Sequence, residues 1–444
     1  MTFETQMSLT VFKPEDEKFN INKDIKQNNN ADIMKKYVDG SWNFARADTK
    51  YYTHGIHSYP AMMIPQVAKR IIDENGTDAK IGLDPFCGSG SVLLEFELGG
   101  INNYGLDINP LAILISKVKT SRLSPAKLKV VWQKLKTQIR DNNSKNVAEV
   151  PNFFNIDFWF KRDIIKQLEG IRLAILDVED EELRNFFLVC FSEAVRRCSN
   201  TKGGEFKLVR ISKDKLENHN PRPYKVFHEI VERNILSMSS LYNISKNKTL
   251  GKSSVVLTDT AKEIKIPKNS VDIMVTSPPY GDSRTTVAYG QYSRLSLQWL
   301  GFSEEIKSLD KNMLGGKPTP DLNFSFSSPT LDKMVRLIAE KDDLRARDVL
   351  SFFVDFHKAA KNISNIMKDN SRLCIVVGNR TVKGLKIPSD EIMAEIFEDF
   401  DYIHSKTFVR SIPSKRMPKV NSPTNVKGKT LSTMNEENIV LLER

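Results

Sequence analysis

Short runs of β-branched and aliphatic residues recur along this chain, each stopping at an acid, a glycine or a proline. Ile81–Asp84, Asn103–Asp107, Val255–Leu257 and Val271–Val275 have this form, which predicts strands ending at a sheet rim. Arg372–Asn379 reads as a further buried strand, and His404–Val409 with Asn438–Leu442 as a closing antiparallel pair. Between these runs the apolar spacing is helical. Pro65–Ile72 carries a proline in its first turn, as does Pro110–Ser116, while Val92–Phe96, Tyr292–Leu300 and Arg347–Met367 continue the alternation. From about Thr120 to Leu250 the pattern is helical and poor in strands. Strands alternating with helices predict an α/β fold: a seven-strand, mainly parallel sheet flanked by helices, with a helical insertion between its second and third strands.

The same pattern divides the chain. Residues 1–40 are polar and asparagine-rich and predict an arm; 41–120 form the first half of the sheet domain, 121–250 the insertion, and 251–444 the second half. Ser303–Thr330, with its glycines, prolines and Phe324-Ser325-Phe326, predicts an irregular excursion. In the insertion, Trp132, Phe153, Phe154, Phe158, Trp159 and Phe160 are expected to pack a core.

Composition changes the picture in two ways. At 444 residues, with 40% hydrophobic and 27% charged side chains, the chain has room for a sizeable core. No apolar run reaches membrane-spanning length, the start of the chain lacks a signal-peptide pattern, and the four cysteines follow no disulfide or metal spacing. A cytoplasmic protein without membrane partners is the expectation. The net charge of +11 and pI near 9.2 favour a polyanionic partner.

Two motifs carry chemistry. Thr276-Ser277-Pro278-Pro279-Tyr280 follows the Val271–Val275 strand directly. Its two prolines make the turn rigid, and it offers a hydroxyl, uncommitted carbonyls and an aromatic face. That set suits a flat ring bearing an exocyclic amine. Upstream, Asp84-Pro85-Phe86-Cys87-Gly88-Ser89-Gly90 joins a strand to a helix start, where backbone N–H groups approach a ligand closely. About twenty residues on, a second strand ends on Asp107, where a dinucleotide-type fold holds ribose hydroxyls. Together they predict a nucleoside-type cofactor site.

The Asp-Pro-Phe-Cys-Gly-Ser-Gly stretch followed by Thr-Ser-Pro-Pro-Tyr resembles the S-adenosyl-L-methionine-dependent DNA amino-methyltransferases of restriction–modification systems. The serine form is typical of their cytosine-N4 type, whereas adenine-N6 enzymes more often carry Asp or Asn at the Ser277 position. The resemblance covers roughly Tyr51–Asn109 and Val255–Leu300. It implies a Rossmann-like methyltransferase sheet with a cofactor pocket built by Asp84, Pro85, Phe86, Gly88, Gly90, Asp107 and Ile108. Asp259 and Thr260 are expected to meet the cofactor's adenine, with Tyr59 and Pro60 closing over its methionine end. Loop packing is the alternative for His54, His57 and Tyr59; a metal site is not expected there, for want of a third ligand. Ser277, Pro278, Pro279 and Tyr280 are expected to hold and stack a base turned out of duplex DNA. A cognate restriction endonuclease is the implied partner.

Arg284, in the loop after Tyr280, and Arg410, Lys415, Arg416 and Lys419, in an acid-free basic stretch, are expected to contact the DNA backbone. Arg196, Arg197, Lys202, Lys207, Arg210, Lys213 and Lys215 form another basic stretch, either a phosphate-contacting face or a solvated surface. Cytosine-C5 chemistry is disfavoured, because no cysteine follows a proline. Adenine-N6 methylation, RNA guanine-N2 methylation and a non-catalytic nucleic-acid-binding module remain as competing readings.

Overall fold

The computed structural model describes residues 35–144, 151, 153–203, 206–282, 286–302, 305–412, 420–421, 431–432 and 434–444. All belong to the second of two units, residues 1–33 and 34–444. The strands are β1 (Lys36–Val38), β2 (Ile81–Asp84), β3 (Asn102–Asp107), β4 (Ser253–Leu257), β5 (Val271–Thr276), β6 (Met367–Val377), β7 (Thr381–Val382), β8 (Leu385–Lys386), β9 (Ile403–Ser411), β10 (Val420–Asn421), β11 (Leu431–Ser432) and β12 (Glu436–Glu443). The first helices are α1 (Pro65–Asn75), α2 (Ser91–Leu98) and α3 (Pro110–Thr120). The insertion forms α4 (Pro125–Ser144), α5 (Ile156–Trp159), α6 (Arg162–Leu176), α7 (Glu181–Cys198), α8 (Lys213–Asn218) and α9 (Pro223–Asn247). The second half adds α10 (Tyr289–Trp299), α11 (Glu305–Asn312), α12 (Pro329–Ala339), α13 (Asp343–Ile366) and α14 (Ser389–Glu398).

The main sheet runs β1-β9-β12-β6-β5-β2-β3-β4. All its pairings are parallel except those of β12, which is antiparallel to β6 and to β9. The mainly parallel α/β sheet is thus as expected, but it has eight strands rather than seven. The added strand is β1, which pairs with β9 from within the stretch expected to be a polar arm. Its three residues, Lys-Tyr-Val, are all exposed at a sheet edge, so no burial periodicity marked them.

Both faces of the sheet are covered, and side-chain alternation shows it. In β6, Leu373, Ile375 and Val377 join the core packed by α12, α13 and α14, while Cys374 and Val376 join the core beneath α1 and α2. The insertion helices close over a core of their own around Trp132, Phe187, Phe191 and Phe227, to which α10 contributes Trp299. Trp132 and Phe160 are buried there as expected. Phe154 and Phe158 are not, at 81% and 42% exposed. Phe158 lies within α5 and Phe154 just before it, and this single turn is too short to bury both faces. The expected excursion contains a helix, α11, whose charged sequence hid the apolar pair Ile306 and Leu309. No helix among the described residues is long and apolar enough to cross a membrane.

Candidate active site

Strand β2 lies between β3 and β5, so the chain order reverses there and a crevice opens beyond the carboxyl ends of these strands. That crevice is a cleft of about 860 Å³ open to solvent. Tyr59, Pro60, Asp84, Pro85, Phe86, Gly88, Asp107, Ile108, Asp259, Thr260, Ser277 and Pro279, all expected from sequence, line it together. Four strand ends far apart in sequence therefore meet at one place. Gly90 and Pro278, also expected, are not among the lining residues but adjoin Ser89, Ser91, Ser277 and Pro279, which are.

Local backbone chemistry shapes the glycine turn. Gly88 and Gly90 have φ of +48° and +76°, a region that favours glycine. At Gly90 a Cβ would lie 2.9 Å from the Ser116 hydroxyl, so close packing adds to the conformational requirement. The turn is tied to β3 by Asp107, whose carboxylate accepts from the N–H of Gly88 at 2.9 Å and of Asn109 at 2.8 Å. Asn109 caps α3 through Leu111 N–H and donates to the Tyr59 and Ser293 hydroxyls at 2.9 and 2.8 Å. Asp84 accepts from the Thr276 hydroxyl at 2.7 Å and from Phe86 N–H at 3.2 Å, linking the glycine turn to the start of the proline turn.

Both acids are buried, and burial penalises their charged forms. It pushes Asp84 up to about 7, against the opposing hydrogen bonds from Thr276 and Phe86. Asp107 is pushed up to about 6, with its backbone hydrogen bonds opposing. Buried Cys87 is raised well above the usual thiol range by desolvation, as suits a packing residue.

In the proline turn, Ser277 donates to the Tyr280 hydroxyl at 3.2 Å, and Tyr280 donates to Glu437 at 3.1 Å. Tyr280 is half-buried and lies beside the cleft rather than in its lining. The far side of Glu437 is held by Arg410, whose guanidinium also donates to Trp42 O at 2.9 Å and Asn43 O at 3.4 Å. Arg410, expected to contact DNA, is 2% exposed, with its donors turned inward. Its charge is spent inside the fold, which corrects that expectation. Arg284, Lys415, Arg416 and Lys419 lie outside the described residues.

His54 and His57 are buried packing residues. His54 pairs with Glu95 at 2.7 Å and His57 with the Ser192 hydroxyl at 3.0 Å, and burial lowers the pKa of both. In the basic stretch, Arg196 stacks on Tyr292 at 3.9 Å and Arg197 pairs with Glu193, whereas Lys202, Lys207, Lys213 and Lys215 are exposed. Sequence reasoning missed Ala61, Met62, Met63, Ser89, Ser91 and Tyr289 in the cleft, and the Asn312-Met313-Leu314 segment. Ser89 and Ser91 were legible as members of the glycine turn. The 312–314 segment begins at the last residue of α11 and carries no motif.

A family profile described as DNA methylase matches residues 5–118, which include the glycine turn and Asp107. The Type II methyltransferase M.MvaI of Kocuria varians is 41% identical over 436 residues, covering 93% of this chain and 96% of that protein. The Type II methyltransferase M.MjaII of Methanocaldococcus jannaschii is 34% identical over 98 residues, 22% of this chain and 18% of its own. Among solved structures, the rRNA methyltransferase aviRa from Streptomyces viridochromogenes aligns over 87% of this chain and 88% of its own, at 9% identity and a TM-score of 0.30. That last likeness is too slight to carry an argument.

Proposed function

This chain belongs to the family of type II DNA methyltransferases, and from that premise we propose that it methylates the exocyclic N4 amine of cytosine in duplex DNA, using S-adenosyl-L-methionine. Its setting is a restriction–modification system, with an endonuclease of the same recognition sequence as partner. The observation that best supports this reading is that Ser277 and Pro279 line the same cleft as Asp84, Gly88, Asp107 and Asp259. Methyl donor and acceptor amine must meet within contact distance, and a shared cleft supplies that proximity.

The residues present fit the cofactor. The two glycines leave the turn without side chains where backbone meets ligand, acids stand at or just beyond two neighbouring strand ends, and Phe86, Ile108 and Leu314 offer apolar surface for a flat ring. When bound, S-adenosyl-L-methionine supplies an electrophilic methyl group. Asp107 and Ile108 hold the ribose edge, Asp259 and Thr260 meet the adenine, and Tyr59 with Pro60 covers the methionine end. The Ser277 hydroxyl and the Pro278 carbonyl accept from the target amine, orienting its lone pair and stabilising the charge that develops on nitrogen. Tyr280 stacks on the base once it is turned out of the duplex.

The test is incubation with mixed-sequence duplex DNA and methyl-labelled S-adenosyl-L-methionine, followed by nucleoside analysis. Label on N4-methylcytosine is expected. Label on N6-methyladenine would transfer the same mechanism to adenine, and label found only in RNA would overturn the DNA reading.

A further inference from the structure

We propose that Lys119 is a positioning residue for the cofactor's α-carboxylate, acting through the hydroxyls of Ser89 and Ser91. This assignment rests on the cofactor reading above. Lys119, the penultimate residue of α3, is 1% exposed and does not itself line the cleft. Its ammonium donates to Ser89 Oγ at 3.2 Å and Ser91 Oγ at 3.4 Å, and both serines do line it. A buried cation thus stands one hydroxyl behind the wall of the cofactor cleft.

The cation lacks a matching anion. Among the described residues no carboxylate forms an ion pair with Lys119; the acid that acts on it from a distance, Glu95, already accepts from the Tyr51 hydroxyl at 2.5 Å and pairs with His54 at 2.7 Å. Cys87, also beside it, is kept as the neutral thiol by burial. Burial correspondingly lowers the Lys119 pKa to about 7. The second observation concerns α2. Its first residue is Ser91, and its cap, Gly90, has no side chain to accept from the first-turn N–H groups. The positive end of the helix dipole therefore lies on the side where Lys119 approaches, and cation and dipole oppose each other. Desolvation and dipole both disfavour a charged lysine here, and both penalties are relieved by an anion at the Ser89–Ser91 hydroxyls.

S-adenosyl-L-methionine carries one anionic group, its α-carboxylate; its sulfonium and amine are cationic. Only that group profits from this corner. The serines would then donate to the carboxylate while accepting from Lys119, a relay that transmits the charge without direct contact.

The experiment compares calorimetric affinities for S-adenosyl-L-methionine and its decarboxylated analogue, which lacks only this group. Wild-type protein should favour the complete cofactor, and Lys119→Met should lose about tenfold for it while holding the analogue unchanged. Equal losses for both ligands would make Lys119 a packing residue and overturn the assignment, as would no loss for either. Should Lys119→Met not fold, the Ser89→Ala/Ser91→Ala double variant breaks the relay, and the preference for the carboxylate must narrow there too. A wild-type chain that binds neither ligand would overturn the cofactor reading, and this assignment with it.

Discussion

Asp84 and Asp107 end neighbouring strands and are both buried, yet their surroundings give them different work. Asp107 receives one backbone N–H on each carboxylate oxygen, which fixes the glycine turn, and it lines the cleft; protonation turns one of those acceptor oxygens into a donor. Affinity for S-adenosyl-L-methionine is therefore expected to fall as pH drops through about 6. Calorimetry from pH 5 to 8 checks this, and a flat profile would remove Asp107 from cofactor binding. Asp84 bears on stability. Its folded-state pKa of about 7 exceeds the ordinary 3.8, so the folded state binds the proton more tightly and stability declines as pH rises through that window. Asp84→Asn removes the buried charge while keeping an acceptor for Thr276. It should raise the melting temperature at pH 8, with the gain vanishing near pH 4. These acids were legible in sequence because each ends its own strand. Tyr289 was not, since its place in the cleft depends on where α10 docks.

At the scale of elements, the inner strands were legible because short β-branched runs that stop at an acid, a glycine or a proline read as buried strands. The edge strand β1 and the charged helix α11 lacked that signal, and α11 leads into the cleft segment 312–314. The contact between elements that matters most for the proline turn was equally hidden. Glu437 at the start of β12 grips Arg410 of β9 on one side and Tyr280 on the other. Arg410→Ala leaves that acid without its buried partner and should cost about 3–5 kcal/mol in chemical denaturation. A phosphate-contacting arginine would instead lose DNA affinity at unchanged stability. Tyr280→Ala should cut methyl transfer about a hundredfold while cofactor affinity stays nearly intact, given stacking worth about 1–3 kcal/mol per base. Tyr280→Phe keeps the ring, loses the Glu437 tether, and should fall between the two in single-turnover rate. Equal loss of transfer and cofactor binding would mean that the turn and the cofactor pocket act as one site.

Over the whole molecule, charge is distributed unevenly. Residues 121–250 hold 24 Lys and Arg against 16 Asp and Glu, so the insertion supplies 8 of the net +11. Part of that excess lies close to the cleft. Leu208 N–H donates to Gln291 of α10 at 3.3 Å, and Arg196 stacks on Tyr292 of the same helix, whose first residue, Tyr289, lines the cleft. The segment bearing exposed Lys202, Lys207 and Lys213 is thus anchored to a helix that lines the cleft, while Arg210 packs at 4.1 Å over half-exposed Phe158. On the proposed reading, a duplex presenting a base at Ser277 would bring its phosphates past nearby protein surface, and a basic surface there would lower the cost of that approach. Replacing Lys207 and Lys213 by alanine should weaken duplex binding about tenfold at low salt and flatten the slope of log affinity against log salt by about 0.9 for each phosphate that is no longer neutralised. Affinity for S-adenosyl-L-methionine should not move, because neither side chain lines the cleft. If duplex affinity and its salt slope both stay at wild-type values, the insertion's charge is a solvated surface, and the DNA path must run along another face of the molecule.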